Sequence, residues 1–247
     1  MPRDHHVRRA LALQRDPSLP PSLELTEGLC AIVRPDGAMK ERLERRLDLP
    51  RCPGGCAVRR FFERAAADGV AVELDVGAGY GRFSRGRAAA HPELRLLAIE
   101  QESARVARSD VIARRAGIRN VAYLVAEARY ALEFCVPPES VSAVFVLFPD
   151  PWPKDRHARN RLFRAPNVDL VHRLLLPGGC LHAATDDEAY FAQMLDVMRG
   201  DDRFEPVPPP VRGEDERTDF ERKFAGQGRV LRAASWRKRF ASAARPI

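Results

Sequence analysis

No stretch of this chain approaches the roughly 18 consecutive apolar residues of a membrane span. The first ten residues, with Arg3, Asp4, His5, His6, Arg8 and Arg9, lack the apolar centre of a secretory signal. No membrane partner is expected, and the chain reads as cytoplasmic. Cysteine is scarce: Cys30, Cys52, Cys56, Cys135 and Cys180 are odd in number and scattered, which argues against a disulfide framework. Cys52-Pro-Gly-Gly-Cys56, taken with Cys30 and the His5-His6 pair, sets no four-ligand spacing. The plain reading is a loop with two free thiols, and no metal is expected. There is no internal repeat.

What the chain has is apolar residues and positive charge. Hydrophobic types make up 45% of 247 residues, enough for one sizeable core. Formal net charge is +7 and the sequence pI about 9.5. Such a balance suits a polyanionic partner such as nucleic acid. The same composition also arises from solvated arginine faces.

Residues 1–56 read as an accessory arm punctuated by Asp16-Pro17, Pro20-Pro21, Arg34-Pro35-Asp36-Gly37 and Cys52-Pro53-Gly54-Gly55, with one short helix near Ala38 to Leu47. Residues 57–247 read as the main domain, where regular alternation begins. Helices are expected over Val58–Ala67, Phe83–Ala90, Glu102–Ala116, Ala126–Phe134, Arg161–Leu176 and Asp187–Met198. Strands are expected over Val70–Val76, Leu94–Ile99, Val121–Val125, Val141–Phe148, Cys180–Thr185 and Arg229–Trp236. Arg203–Glu216, rich in proline and acid, reads as a loop. This βαβ order implies an α/β fold, Rossmann-like and doubly wound, with a mostly parallel sheet and helices on both faces.

The strand Val72-Glu-Leu-Asp-Val runs into Gly77-Ala-Gly79-Tyr-Gly81, a glycine loop of the kind that lets backbone approach a ligand at the carboxyl ends of the strands. Glu100 ends the second strand, nineteen residues after Gly81, where a carboxylate can accept both hydroxyls of a ribose. Asp75 adds an acid just ahead of the glycines. A pyrophosphate would be repelled there, whereas the ammonium and sulfonium of S-adenosylmethionine would be stabilised. Glu127 follows the third strand, as a contact for the adenine amine or as a helix N-terminal acid.

Phe148-Pro-Asp-Pro-Trp-Pro-Lys154 follows the fourth strand, and its three prolines restrict the backbone where groups must be positioned. Asp150 would face the crevice, and Trp152 could pack against a base. Arg156, His157, Arg159, Arg161 and Arg164 follow, and we take Arg156, Arg159 and Arg161 as contacts for RNA phosphates, or as a solvated face. Asp186 ends the fifth strand, as a site acid or a helix cap. Thr218-Asp-Phe-Glu221 places a hydroxyl and two acids in the tail, as a site or as a capping box.

The sequence resembles the bacterial tRNA (guanine-N7)-methyltransferases, a class I S-adenosylmethionine-dependent family, from about Val72 to Trp236. The resemblance rests on Gly77-x-Gly79-x-Gly81, Ala98-Ile-Glu100, the Phe148–Lys154 run, Leu176-Pro-Gly-Gly179, Ala184-Thr-Asp186 and Thr218-x-Phe-Glu221. It implies methyl transfer to N7 of a tRNA guanine, the variable-loop guanosine at position 46. It implies cofactor contacts at Asp75, Gly77, Gly79, Gly81, Glu100, Glu127 and Asp150, with Asp150 catalytic as well. It implies substrate contacts at Lys154, Asp186, Thr218, Asp219, Phe220 and Glu221. Expected partners are tRNA and no obligate protein, in a monomer or homodimer. The chain departs from the family pattern with Asp at 75 for the usual Glu, Glu at 127 for the usual Asp, and an acid at Asp219. Rival readings are a small-molecule or protein methyltransferase, a non-catalytic tRNA-binding protein, and a nicotinamide-dependent dehydrogenase.

Overall fold

The computed structural model describes residues 55–153, 155–224 and 227–240. The helix expected near residues 38–47 and the start of the Cys52–Cys56 loop lie outside them. In chain order the elements are α1 (Gly55–Ala67), β1 (Val72–Val76), α2 (Arg82–Ala90), β2 (Arg95–Glu100), α3 (Ser103–Arg115) and β3 (Val121–Val125). A short α4 (Ala128–Tyr130) continues as a π-turn over Ala131–Cys135 and leads to β4 (Val141–Leu147). There follow a 3-10 turn (Asp155–Asn160), α5 (Ala165–Leu174), β5 (Leu175–Thr185), α6 (Glu188–Arg199), β6 (Phe204–Val207), a 3-10 turn (Glu214–Glu216), α7 (Asp219–Phe224) and β7 (Arg232–Lys238). Among these residues no helix is long and apolar enough to cross a membrane.

The strands form one sheet in the order β3-β2-β1-β4-β5-β7-β6. Every neighbouring pair is parallel except β5–β7 and β6–β7, so β7 alone runs against the rest. The expected doubly wound, mostly parallel α/β architecture is what forms. Strand order reverses between β1 and β4, and in such sheets ligands bind in the crevice beyond the strand ends at that reversal.

Period-2 alternation divides the two faces. Val72, Leu74 and Val76 of β1 join the larger core with Phe61 and Phe62 of α1, Val168 and Val171 of α5, and Tyr190 and Met194 of α6, all buried. Glu73 and Asp75 point the other way, toward α2. On that face α2 and α3 cover β1 to β3, where Ala88, Val106 and Ala113 pack against Leu96, Ala98 and Tyr123. Against the other side of α2 packs the connection between β6 and α7.

That connection fits because residue 86 is glycine. A Cβ there would stand 1.9 Å from the Asp215 carbonyl oxygen. Arg87 of α2 then pairs with Glu73 of β1 (2.8 Å) and with Glu216 of the connection (3.0 Å), all three partly or fully buried. Gly86→Ala should push the connection off α2 and cost about 1–3 kcal/mol as an overpacking change. A urea titration reads this as a lowered midpoint; an unmoved midpoint would mean the connection yields freely.

Three expectations need correction. The helix before β5 begins at Ala165, not Arg161, because Pro166 sits in its first turn, where the missing N–H is not needed. It ends at Leu174; Pro177-Gly-Gly does not stop it but forms an outlying stretch inside β5. Val141 pairs with Leu175 and Ala143 with Cys180, so five steps on β5 meet two on β4. The third is Arg203–Glu216, which is not all loop. Phe204–Val207 is a strand, and its Pro206 is tolerated because β6 is the sheet edge.

Candidate active site

Five acids stand at or just beyond the carboxyl ends of the five adjacent parallel strands. Along the sheet edge they run Glu127 (β3), Glu100 (β2), Asp75 (β1), Asp150 (β4) and Asp186 (β5). At a strand spacing of about 4.8 Å the row spans roughly 19 Å. The topological reversal falls between Asp75 and Asp150. The glycine loop rises on one side of it and the Phe148–Pro153 loop on the other.

Asp75 is 3% exposed, and the Ser84 hydroxyl of α2 donates to its Oδ2. Burial pushes its carboxyl up to about 7, the Ser84 bond opposes that, and the charge of Glu100 adds to it. Glu100 is buried and ties the glycine loop to β2. The Gly79 N–H donates to its Oε2 (2.9 Å) and the Glu102 N–H to its Oε1 (2.9 Å), with Arg105 at 3.7 Å. Gly77 and Ala78 both donate to the Ile99 carbonyl, which holds the loop flat over the strand end. At Gly81, φ is +62°, and a Cβ would meet Ser109 Oγ and Tyr123 Cε1 at 2.9 Å, so any other residue would be strained and would displace those side chains.

Glu127 caps α4, accepting from the N–H groups of Arg129 (3.1 Å) and Tyr130 (2.8 Å). The helix-terminal role foreseen for it is therefore realised, at the end of the acid row.

The loop after β4 is strained. Phe148 (φ 54°) and Trp152 (φ 44°) both adopt left-handed backbone without being glycine, at a cost of order 1–3 kcal/mol each. Such outliers persist where the surroundings fix them. Asp150 lies exposed at the loop's centre, and among the described residues no hydrogen bond or ion pair engages its carboxylate. The Phe148 N–H donates to the Ala184 carbonyl (2.7 Å), joining the loop to the end of β5.

The tail segment comes to the same place. The Phe220 ring stacks on Phe148 at 4.7 Å, and Phe224 packs on Phe220 at 4.5 Å. Arg229 lies 4.3 Å over Phe224 and ion-pairs with Asp186. Thr218 and Glu221 form a reciprocal cap: the Glu221 N–H donates to Thr218 Oγ1 (3.0 Å) and the Thr218 N–H to Glu221 Oε2 (2.7 Å). Arg212 grips the buried Glu221 carboxylate through both terminal nitrogens and lies 5.7 Å over the Phe83 ring, beside Asp75. So Asp186 and Thr218–Glu221 meet the loop that carries Asp150. Asp219 and Phe220 lie in α7, Asp219 at its first position.

The basic residues divide. Arg156 and Arg159 are exposed on the turn after the loop, whereas Lys154 lies outside the described residues. Arg161 is turned inward. It donates to the carbonyls of Pro151 (2.7 Å) and Trp152 (3.2 Å) and to Gln193, and its guanidinium lies 5.4 Å over Tyr190. Sequence reasoning missed Ser84, Arg212 and the Glu73–Arg87–Glu216 network. The charged Glu73 inside a buried strand was the one available signal, because a buried charge demands a partner.

An acid row with a buried carboxyl beside the glycines suits a ligand carrying positive charge and disfavours a pyrophosphate. That donor set fits S-adenosylmethionine.

Comparison with known proteins agrees. A family described as putative methyltransferase matches residues 70–233. A tRNA (guanine-N(7)-)-methyltransferase of Alkalilimnicola ehrlichii is 33% identical over 85% of this chain and 92% of its own length. Its counterpart in Halorhodospira halophila is 35% identical over 67% of this chain and 74% of its own. Among solved structures, the 16S rRNA methyltransferase KamB superposes with a TM-score of 0.54 at 16% identity, covering 72% of this chain and 93% of that one, a likeness of fold. On these grounds the chain belongs to the tRNA (guanine-N7)-methyltransferase family.

Proposed function

We propose that this protein transfers the methyl group of S-adenosylmethionine to N7 of a guanine in tRNA, the guanosine of the variable loop. Residues 57–247 are the methyltransferase domain and 1–56 an accessory arm. The protein acts in the cytoplasm, as a monomer or homodimer without an obligate protein partner. What carries the reading is the meeting of two loops at the strand-order reversal: the acid-flanked glycine loop after β1 and the Phe148–Pro153 loop after β4, with Thr218–Glu221 stacked on the second.

Bound S-adenosylmethionine supplies an electrophilic methyl on a sulfonium. Asp75 and Glu100 would bind its cationic and ribose parts, Gly77, Gly79 and Gly81 would admit it against backbone, and Glu127, while capping α4, would meet the adenine. Guanine N7 carries a free lone pair and no proton, so no general base is required. The methyl would pass from the cofactor's sulfur to N7, the bonding pair staying on sulfur, so the guanine ring would take up the positive charge. Asp150 and Asp186 stabilise that charge where it develops. Asp150 or Asp186 also accepts from the ring's N1 and N2 groups, which selects guanine over adenine, and the Thr218–Glu221 segment lines the substrate side. Holding N7 in line with the methyl can supply on the order of 7–11 kcal/mol of the barrier.

The test uses purified full-length protein, unmodified tRNA transcript and methyl-labelled cofactor, with nucleoside digestion and mass spectrometry. Label is expected as 7-methylguanosine. Label absent from RNA while cofactor still binds would favour a small-molecule or protein methyltransferase. Binding of tRNA without cofactor would favour a non-catalytic protein.

Lys154, Arg156 and Arg159 hold phosphate in this reading. Reversing Arg156 and Arg159 to Glu should weaken tRNA binding at least tenfold. It should also shallow the plot of log affinity against log salt by about one for each phosphate no longer neutralised. Filter binding between roughly 50 and 200 mM salt reads both effects. An unchanged slope would remove this turn from the RNA interface.

A further inference from the structure

Arg161 does not behave as a member of the basic run to which its sequence position assigns it. We infer that it is a positioning residue, holding the Phe148–Pro153 loop, and with it Asp150, in the conformation that methyl transfer needs. The inference rests on the function proposed above and adds a role for a residue that does not touch the substrate.

The loop cannot hold itself. Pro149, Pro151 and Pro153 have no N–H, so half of its six residues donate nothing. Two of the remaining three, Phe148 and Trp152, sit in left-handed backbone that no local preference supports. Phe148 is secured by its N–H bond to Ala184 and by the Phe220 ring. Trp152 stands at the other end of the loop, and there Arg161 engages the backbone.

Its side chain is partly buried beneath the loop. Nε donates to the Pro151 carbonyl (2.7 Å) and Nη2 to the Trp152 carbonyl (3.2 Å), so successive carbonyls on either side of the strained residue are pinned by one rigid plane. Nη1 reaches Gln193 of α6, and the plane lies 5.4 Å over Tyr190 of the same helix. Both anchors are themselves fixed: Gln193 donates to the Phe163 carbonyl (3.0 Å), and the Tyr190 hydroxyl accepts from the Phe163 N–H (3.0 Å). The guanidinium thus ties the loop after β4 to the helix after β5, whose leading loop carries Asp186. Donors on three nitrogens of one plane, together with its face, reach these four partners at once, whereas a lysine's three donors radiate from a single nitrogen and offer no plane to stack.

A phosphate contact and a positioning role predict opposite results. Arg161→Met and Arg161→Lys would be compared with the native protein for kcat, tRNA affinity and its salt slope, and acrylamide quenching of tryptophan. The chain has two tryptophans, and Trp236 is 6% exposed, so quenching reports chiefly on Trp152. The inference expects kcat to fall at least tenfold in both variants, with tRNA affinity within about twofold and an unchanged salt slope. Quenching rises, and dissolved guanidinium restores part of the rate to Arg161→Ala. Arg161→Lys keeps the charge, so its failure to restore the rate marks geometry as the cause.

Weakened tRNA binding with a shallower salt slope, native kcat and native quenching would overturn the inference and return Arg161 to the phosphate contacts. Native behaviour in every measurement would overturn it too. If the native protein proved unable to methylate tRNA, the functional proposal would fall. The quenching comparison would still decide whether Arg161 holds the loop.

Discussion

Replacing Asp150 by alanine is expected to lower the rate of tRNA methylation about a hundredfold or more, the scale on which removing one preorganised electrostatic group acts. The fold gives no reason for a matching loss of stability. The side chain is exposed and tied to nothing among the described residues, and substitutions at such places usually stay within about 0.5 kcal/mol. The loop's shape comes from its prolines, the Phe148 bond to Ala184 and Arg161, none of which uses the Asp150 carboxylate. Asp150→Asn keeps the outline and removes the charge. If the carboxylate acts by stabilising the cationic guanine, Asn should be nearly as poor as Ala. Initial rates at saturating tRNA and cofactor, beside a thermal melt of each variant, decide the matter. A native rate in either variant would remove Asp150 from the chemistry.

The second large effect belongs to Asp75. Its carboxyl is buried and pushed up to about 7, far above the usual carboxylate range, by desolvation first, against the Ser84 hydrogen bond and with the charge of Glu100 adding to it. The sign follows from proton binding. Between about pH 4 and 7 the unfolded chain has released this proton and the folded one has kept it, so stability falls with rising pH across that window and levels above it. At pH 8 the folded protein without ligand carries a buried carboxylate beside Glu100, with Arg212 as partial compensation. Asp75→Asn can still accept from Ser84 and carries no charge. Its melting temperature should therefore exceed the native one at pH 8 and approach it near pH 4.

Cofactor binding should move the other way. A cationic ligand needs the carboxylate, so calorimetry should find affinity reduced at least tenfold in Asp75→Asn. In the native protein the same affinity should decline as pH drops below about 7. A variant that melts below the native protein at pH 8, or binds the cofactor equally well, would separate Asp75 from this role. The expected pairing of gained stability with lost binding is common where sites hold destabilised groups.

How much of this is legible in the sequence follows the physics of each part. The parallel strands are readable because burial on both faces makes them largely apolar, with Ala143 to Leu147 the clearest run. The glycine loop is readable because left-handed backbone and close approach leave few residue choices. β6 is not, since proline is the usual mark of a loop and only the sheet order shows Phe204–Val207 to be an edge. The Pro177-Gly-Gly stretch has the composition of a helix stop, and only pairing with β4 shows it as an outlying part of β5.

In the site, the acids at the strand ends can be found because strand ends are where ligands bind. The residues that hold them cannot. Ser84 and Asp75 are nine positions apart, Arg212 and Glu221 nine, and Arg87 and Glu216 well over a hundred. No local pattern encodes such pairs; they exist only once the chain has folded over α2.

The position of β7 has a consequence for synthesis. It is the last strand in chain order among the described residues, yet it sits between β5 and β6, so β6 has no place in the sheet until β7 arrives. α7, with Thr218 to Glu221, lies on the stretch of chain between those two strands. As the chain leaves the ribosome, β1 to β3 can pair early and close the half of the crevice built from Asp75 and Glu100. The Thr218–Glu221 segment is drawn into place only when β7 slots in. On the proposed reading, the part of the crevice assigned to the methyl donor would form before the tail segment assigned to the guanine.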